Sequence, residues 1–343
     1  APTSGRPFLP GGGVAVIRWD ASGTLTPEPI TLEYSLDDGR SWAPINGGAY
    51  SKADDGREDW NVPTGPSFDV RVRVSATDVA DNTATDTSPR LAKDVTGYVV
   101  DANGRVHAFG TANESTRETY VRSGDVMGGI AMRSSTTGYT MTDRGVVHPF
   151  AVGGSTMPAK PWSRSYGEDN ARGFALRSSS SGYVVLKDGR VMPFGGAPSV
   201  RVSKTWRGYD RARGIVMVDT RRGYVLDAYG RLWPFAAGRY SMPPNINGRN
   251  LFGTQRAAGV VLRSDERSGW AIDSRGYLTP FGGAPRVSTS GAKTGGGVRA
   301  IVRVTNDGGY WVDATGTLHR WGAALGDPTL VTFNGTSARG AAN

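Results

Sequence analysis

The chain of 343 residues contains no cysteine, so neither a disulfide framework nor thiol chemistry is available to it. It has no apolar stretch near the ~18 residues that a helical membrane span requires. No apolar stripe recurs at the 3.6-residue spacing of an amphipathic helix. Only three histidines and six lysines are present, and arginine supplies most of the positive charge, a bias that a GC-rich bacterial genome explains.

Turn-forming residues are abundant, with 49 Gly and 20 Pro punctuating short β-branched and aromatic runs. This pattern predicts an all-β protein. The opening stretch "APTSGRPFLP" suits the start of a mature secreted protein or a cut from a longer chain. We therefore expect an extracellular location.

The net charge of +9 is unevenly distributed. Residues 1–94 contain 9 basic and 14 acidic residues (−5), whereas residues 95–343 contain 31 basic and 17 acidic residues (+14). The change predicts a domain boundary near Thr96. A basic face favours an anionic partner, but scattered solubilising arginines explain the excess equally well.

Residues 1–94 show alternating apolar and polar runs, such as "VAVIRWD" and "FDVRVRVSATD", separated by turn signals about every ten residues. About seven short strands of this kind predict a β-sandwich, with Trp19, Tyr34 and Trp60 as core anchors. The stretches "YSLDDGRSW", "WNVP" and "VRVSATDVADN" resemble immunoglobulin-like or fibronectin-III-like modules of secreted bacterial proteins. That resemblance implies a spacer that displays a neighbouring domain.

Two turns in this region match functional patterns. "SLDDGRSW" (35–42) resembles the Asp-box of sialidase propellers, but it occurs once and outside the repeats, so we interpret it as a turn device. "DVADN" offers Asp78 and Asp81 to a cation, but further oxygen ligands are not evident, and a polar turn is the simpler interpretation.

A repeat occupies the remainder of the chain. The pair Gly-Tyr or Gly-Trp begins at 97, 138, 182, 223, 269 and 309. A Gly follows seven residues later, and an aromatic residue follows twelve residues later. The second Gly predicts a tight turn, and the aromatic predicts contact with a neighbouring sheet. An apolar strand precedes the later copies, and a polar stretch such as "RVSKTW" follows with a possible outer strand. Four short strands per ~42 residues predict a β-propeller blade.

The sequence thus predicts an immunoglobulin-like β-sandwich (1–94) followed by a six-bladed β-propeller (95–343). The first copy lacks its upstream strand, and "SARGAAN" at the C-terminus matches the missing piece. We expect residues 338–343 to complete blade one and close the ring; a frayed terminal tail is the alternative. The repeats resemble "GYVLDxxGxLxPFGGAP" units of secreted actinobacterial proteins and, more distantly, six-bladed propellers of the NHL type. This resemblance implies architecture and not activity.

Residues that recur at the same position of several repeats are explained more simply by packing than by function. His107, His148 and His319 share one slot, which we interpret as a packing position rather than a three-histidine metal site. Asp101, Asp227, Asp273 and Asp313 share another slot, three residues before the turn Gly, and are expected to cap backbone N–H groups. We predict no catalytic residues, no metal and no cofactor.

Positions outside the register are better candidates for function. The stretches between blades combine arginine with Tyr120, Trp162, Tyr166, Trp206, Tyr209, Tyr240 and Phe252. Such aromatic faces suit sugar rings or acidic glycans, although packing explains Trp162 and Trp206 equally well. The longest insert, 236–253, is predicted to bind ligand through Arg239, Tyr240, Asn245, Asn247 and Arg249.

Three classes of function remain open. The first is a secreted, non-catalytic binding or adhesion protein of lectin type that recognises a glycan or cell-surface ligand. The second is a scaffolding subunit of an extracellular protein assembly. The third is a propeller hydrolase or lyase acting on glycans, for which the sequence offers no irregular cluster of acids. Nucleic acid is not expected, because no recognised module accompanies the positive charge.

Overall fold

The computed structural model describes residues 8–9, 11–47, 53–112, 125–254, 256–291, 297–325 and 337–343. The chain divides into two compact units. One consists of Ala1–Val95 with Ala323–Gly326, and the other of Thr96–Gly322 with Asp327–Asn343. No helix among the described residues is long and apolar enough to cross a membrane.

The first unit contains eight described strands and one short 3₁₀ turn, Ile45–Gly47. The strands are β1 (Phe8–Leu9), β2 (Val14–Arg18), β3 (Leu25–Ser35), β4 (Ala43–Pro44), β5 (Arg57–Asn61), β6 (Ser67–Asp78), β7 (Thr83–Thr87) and β8 (Leu91–Lys93). β2 pairs with β5, and the other strands form a sheet of order β1-β8-β6-β3-β4 with β7 beside β6.

One hydrophobic core joins the two sheets of this unit. Trp60 on β5 and Ile17 on β2 are each 1% exposed and belong to the same cluster as Ile30, Leu32, Val70 and Val72 of the larger sheet. Of the three predicted anchors, Trp60 is fully buried, whereas Tyr34 and Trp19 pack against the cluster from partly buried positions. The Tyr34 ring lies 5.2 Å from that of Trp60.

The Asp-box sequence is confirmed as a turn device. Asp37 accepts hydrogen bonds from the Ser41 backbone N–H (2.8 Å) and from the Ser41 and Ser35 hydroxyls (2.6 and 2.7 Å). The Trp42 indole donates to the Gly39 carbonyl at 3.1 Å. These bonds, led by the one from the Ser41 hydroxyl, lower the pKa of Asp37 to about 2.

The polar turn at Asp78 uses similar chemistry. Asp78 Oδ1 accepts from the backbone N–H groups of Ala80 (2.8 Å) and Asn82 (2.9 Å), and Oδ2 accepts from the Asn82 side chain at 2.9 Å. Both carboxylate oxygens are therefore engaged in holding the turn, as the simpler interpretation predicted.

The second unit contains nineteen described strands. They are β9 (Thr96–Asp101), β10 (Val106–Gly110), β11 (Met127–Met132), β12 (Thr137–Thr142), β13 (Val147–Ala151), β14 (Ala171–Leu176), β15 (Gly182–Leu186), β16 (Val191–Phe194), β17 (Val200–Val202), β18 (Ala212–Met217), β19 (Arg222–Asp227), β20 (Leu232–Ala237), β21 (Ala257–Leu262), β22 (Gly269–Asp273), β23 (Leu278–Phe281), β24 (Val298–Thr305), β25 (Gly308–Asp313), β26 (Leu318–Gly322) and β27 (Ala338–Ala342).

These strands form six small antiparallel sheets, numbered here 1 to 6 by their middle strands β9, β12, β15, β19, β22 and β25. The inner strand of each sheet contacts the inner strand of the next, in the order β27, β11, β14, β18, β21, β24. The series closes because β24 contacts β27. The unit is therefore a propeller-like ring of repeated sheets.

The predicted closure by the C-terminus is confirmed. β27 pairs antiparallel with β9, with Ala342 opposite Tyr98 and Ala338 opposite Asp101. Sheet 1 thus takes its inner strand from the end of the chain and its other two strands from the start of the repeats. This arrangement joins the two ends of the array within one sheet.

Steric fit explains why the repeat opens with glycine. Gly223 lies opposite Phe235 on the paired strand, and a Cβ on Gly223 would lie 2.6 Å from the Phe235 ring and 2.3 Å from the Val216 carbonyl oxygen. The equivalent Gly97, Gly138, Gly182 and Gly269 meet their own aromatic partners in the same way. The second repeat glycine is needed for a different reason, since all six adopt φ between 82° and 90°.

The repeat aromatic also connects neighbouring sheets, as predicted. Phe150 of sheet 2 contacts Tyr98 of sheet 1 edge-on, with ring centroids 6.3 Å apart. The same contact joins Phe235 to Tyr183 at 5.8 Å and, across the closure between sheets 1 and 6, Phe109 to Tyr310 at 6.0 Å. The closing junction therefore repeats a contact of the internal junctions.

The expected count of four strands per sheet is wrong for the described residues. Among the described residues, only sheet 4 has a fourth strand, β17, and the other five sheets have three. β17 also belongs to the sheet that follows it in sequence, because Val202 pairs with Phe235. An isolated bridge from Thr289 to Trp321 repeats this placement in sheet 6. In these two cases the polar stretch after one repeat lies along the edge of the next sheet.

Candidate ligand-binding site

The repeated aspartates cap turns through Oδ1, and their Oδ2 contacts the side chain of a second residue. Oδ1 of Asp101 accepts from the backbone N–H groups of Asn103 and Arg105, both at 2.9 Å. Oδ2 contacts His107 Nε2 at 3.2 Å. Burial raises the pKa of Asp101, but the bonds from His107 and the backbone outweigh it, and the net shift is downward.

The residue six positions after the aspartate, a histidine in sheets 1 and 6, is its partner. His319 contacts Asp313 at 3.0 Å, and in sheet 4 the Trp233 indole donates to Asp227 at 2.8 Å. In sheet 2 the aspartate is replaced by Thr142, and His148 Nε2 is buried without a hydrogen-bond partner in the described part of the chain. No group of three His, Asp or Glu residues suited to a metal ion occurs among the described residues.

Several aromatic residues between the sheets have a packing role. Tyr166, Trp206 and Phe252 pack over the turn glycines of the preceding sheet, so that a Cβ on Gly189 would lie 2.6 Å from the Trp206 ring. They therefore obey the repeat, although the sequence suggested that they escape it. Trp162 and Tyr209 are 73% and 67% exposed, and Tyr120 lies outside the described residues.

The insert 236–253 is tethered to sheet 4 at three points. The Tyr224 hydroxyl donates to the Pro244 carbonyl at 2.6 Å, and the Asn247 side-chain amide donates to the Gly230 carbonyl at 2.7 Å. The backbone N–H groups of Leu251 and Phe252 both donate to the Tyr229 carbonyl at 3.0 Å. A loop held in this way presents fixed side chains, which lowers the entropy lost on binding.

A concave site of about 320 Å³ lies between this insert and β23 of sheet 5. Its lining combines an apolar floor with amide and guanidinium groups: Ile246, Asn247, Gly248, Arg249, Leu251, Pro280, Phe281 and Gly282. Arg249 makes no hydrogen bond or ion pair with any described residue. An apolar wall beside a free guanidinium is a common arrangement for a ligand with an anionic group.

The five predicted site residues separate into two groups. Asn247 and Arg249 line the cavity, but Asn247 is only 5% exposed, and its amide nitrogen is engaged by Gly230. Asn245 accepts a bond from the Asn247 backbone N–H at 3.3 Å and shapes the loop. Arg239 and Tyr240 are not part of the cavity lining.

Tyr240 lies in a second cluster formed with two arginines that the sequence analysis missed. The Arg221 guanidinium stacks on the Tyr240 ring, 4.2 Å from its centroid, and Arg201 donates to the Tyr240 carbonyl at 2.7 Å. The Tyr240 side chain remains 46% exposed. One ring face thus carries a cation, and the exposed part is available for stacking.

The first unit contains a separate groove of about 510 Å³. It runs beside β7 and is lined by Trp19, Leu25 and Val74, with Asp20, Asp78 and Asp86 among its polar groups. Asp78 is committed to its turn, as described above. The groove is acidic, whereas the insert cavity and the Tyr240 cluster contain arginine.

No protein-family model matches the chain, and no curated protein matches it. Among solved structures, the C-terminal WD40 domain of Sif2 matches at 7% identity and a TM-score of 0.40, covering 72% of this chain and 81% of that chain. A structural-genomics protein of unknown function from Bacteroides thetaiotaomicron matches at 11% identity and a TM-score of 0.45, covering 95% and 84%.

Proposed function

We propose that the protein is a secreted, non-catalytic binding protein that recognises an acidic glycan or cell-surface ligand at the rim of the ring. In this proposal the first unit is an immunoglobulin-like spacer, and the second is a six-bladed propeller that carries the ligand site. The observation that supports the site is the tethered 236–253 insert, which places the unpaired Arg249 on a cavity with an apolar wall.

The chemistry of the two clusters suits such a ligand. Ile246, Leu251 and Pro280 offer apolar surface to a sugar ring, and Arg249 offers a planar fork of donors to a carboxylate or sulfate. The Tyr240 ring, with Arg221 on one face, provides a second platform for an extended ligand. The repeated glycines, aspartates and aromatic residues are already committed to packing and turns, and the insert is an irregular element outside them.

A glycan array and whole-cell binding test the proposal. We expect the wild type to bind uronate- or sulfate-bearing glycans, and we expect Arg249→Ala and Tyr240→Ala to weaken that binding. Trp162→Ala is the matched control, since it removes an exposed aromatic outside the insert. Unchanged binding by Arg249→Ala would remove the cavity from the site. Release of new reducing ends from a bound polysaccharide would overturn the non-catalytic assignment.

A scaffolding role is the second candidate, and the exposure of Trp162 and Tyr209 favours it. Large aromatic side chains at protein surfaces are frequent anchors of protein–protein interfaces. Their location in the stretches before sheets 3 and 4 separates them from the insert. In this case Trp162→Ala, and not Arg249→Ala, would abolish capture of the protein partner.

A further inference from the structure

The inner strands of all six sheets carry a β-bulge at the same register. The pairing shifts across one residue in each, and the bulged residues in sheets 1 to 6 are Arg339, Gly128, Arg172, Arg213, Ala258 and Arg299. Bulges redirect side chains at the ends of sheets. Four arginines therefore occupy equivalent places at one end of the ring of inner strands.

Equivalent positions on neighbouring inner strands lie side by side. A Cβ on Gly173, which follows the bulge in sheet 3, would lie 3.4 Å from the Gly214 Cα of sheet 4. A Cβ on Gly340 would lie 2.9 Å from the Gly129 Cα. These two contacts join sheets 3 and 4 and sheets 1 and 2, and the inner strands of sheets 6 and 1, β24 and β27, are in contact as well. The four arginines thus fall into two pairs on neighbouring inner strands, one on sheets 3 and 4 and the other on sheets 6 and 1.

The first pair encloses a carboxylate. Asp210 accepts from Arg172 Nε (3.1 Å) and Nη2 (2.7 Å), and also from Arg213 Nη1 (2.8 Å). Asp169 adds a further bond to Arg172 at 2.9 Å. The Asp210 carboxylate therefore shows which kind of anion fits between two arginines at the bulge position.

Among the described residues, the second pair has no such carboxylate. Asp169 and Asp210 each precede a bulge arginine by three residues, whereas the residues three before Arg299 and Arg339 are glycine and threonine. Neither arginine forms a hydrogen bond or an ion pair with the described residues. Arg339 Nε is buried with no partner there, and Arg299 is exposed.

We propose that Arg299 and Arg339 form an anion site that binds a carboxylate group of a ligand at this end of the inner strands. The carboxylate would accept from both guanidinium groups, as Asp210 does in the other pair, and would satisfy Arg339 Nε. Paired, charge-assisted bonds of this kind are strong and directional. The site is distinct from the rim insert, because it lies on the inner strands of sheets 6 and 1.

Titration calorimetry of the full chain at low ionic strength tests the site, since salt screens such contacts. The probes are glucuronate, a short galacturonate oligomer and, as the uncharged match, glucose. In the Arg249→Gln variant, whose insert site is disabled, we expect one molecule of the acid to bind per chain, and glucose to give no heat. Binding of the monomer identifies a free sugar acid as sufficient, whereas binding of the oligomer alone places the carboxylate within a glycan.

Three variants separate this site from the rim. Arg299→Gln and Arg339→Gln, each made in the Arg249→Gln variant, should weaken acid binding by about tenfold or more, as expected when a charged donor is lost. Trp162→Ala, made in the same variant, should leave that binding unchanged, because this exposed aromatic residue lies outside both sites. Equal affinity in the Arg249→Gln variant with and without Arg339→Gln, or no binding of either acid to the Arg249→Gln variant at millimolar concentration, would overturn the proposal without affecting the insert site.

Discussion

Both units of this protein contain turns capped by an aspartate side chain, but in the ring the cap recurs from sheet to sheet. In the first unit, Asp78 caps one turn through the N–H groups two and four residues later. In the ring, four aspartates repeat this cap, and three of them also engage a donor six residues later, such as His107 for Asp101. Each capped turn in the ring is thereby linked to its adjoining strand.

The difference shows how to separate structural from functional side chains. A residue that occurs once, such as Trp60, gives no internal standard against which its role can be judged. In the ring, a histidine that pairs with an aspartate in two sheets, and is replaced by Trp233 in a third, is explained by that pairing. A candidate for ligand binding is therefore a repeated residue that lacks the partner found at equivalent positions, as Arg339 lacks, within the described part of the chain, the carboxylate that Arg172 and Arg213 share.

The largest expected effect on stability comes from opening the ring, a change that has no counterpart in the first unit. Removing residues 338–343 deletes β27 and leaves β9 with a free edge and an uncovered face. We expect the melting temperature of the ring to fall by roughly 10 °C, since losing several kcal/mol has that effect on a domain of this size. Differential scanning calorimetry measures the shift, and an unchanged transition would contradict closure by the C-terminus.

Two glycine-to-alanine substitutions measure the contact between the first glycine of the repeat and the repeat aromatic. Gly223→Ala places a methyl group against the Phe235 ring and the Val216 carbonyl, and we expect it to cost about 1–3 kcal/mol of unfolding free energy. Gly214→Ala, in the adjacent strand, is the matched control, because nothing lies within 4 Å of its Cβ position. Denaturant unfolding compares them, and equal stabilities would refute the steric explanation of the repeat glycine.

Acid should distinguish the Asp-box turn of the first unit. The pKa of Asp37 is about 2 in the folded protein, below the ordinary value of 3.8, so its ionised form stabilises the fold. That contribution is complete above about pH 4 and is lost as the pH falls towards 2. We expect Asp37→Asn to lower the stability at pH 7 and to reduce its dependence on pH between 4 and 2, as followed by Trp fluorescence. A parallel pH profile in both proteins would contradict this assignment.

The sequence predicted the ring better than the candidate site, for a physical reason. The Gly-Tyr, turn glycine and aromatic positions act within one hairpin or between equivalent hairpins, so their spacing is visible along the chain. β17 was expected in the preceding sheet, because its pairing partner Phe235 is more than thirty residues away. Asn247 was predicted to face a ligand, and its burial depends on the distant Gly230 carbonyl.

The arginine pair at the inner strands left a signal that sequence reasoning missed. An aspartate three residues before the bulge position occurs at Asp125, Asp169 and Asp210, that is, in sheets 2 to 4. The corresponding residues of sheets 5, 6 and 1 are not acidic. Comparing the repeats for missing partners, and not only for shared residues, would have separated the two arginine pairs.

The smallest expected effect belongs to the exposed part of the insert. The double change Arg239→Ala and Tyr240→Ala removes surface side chains and one arginine–tyrosine stack, and we expect the melting temperature to stay within about a degree. Asn247→Ala, from the same predicted set, should lower the stability by about 1–3 kcal/mol, because the buried Gly230 carbonyl would lose its donor. Thermal unfolding of the two variants therefore divides the insert into a part that supports the fold and a part that is free to bind. If the double variant is as unstable as Asn247→Ala, the Tyr240 cluster belongs to the supporting part, and Arg249 alone remains as the ligand-binding candidate in the insert.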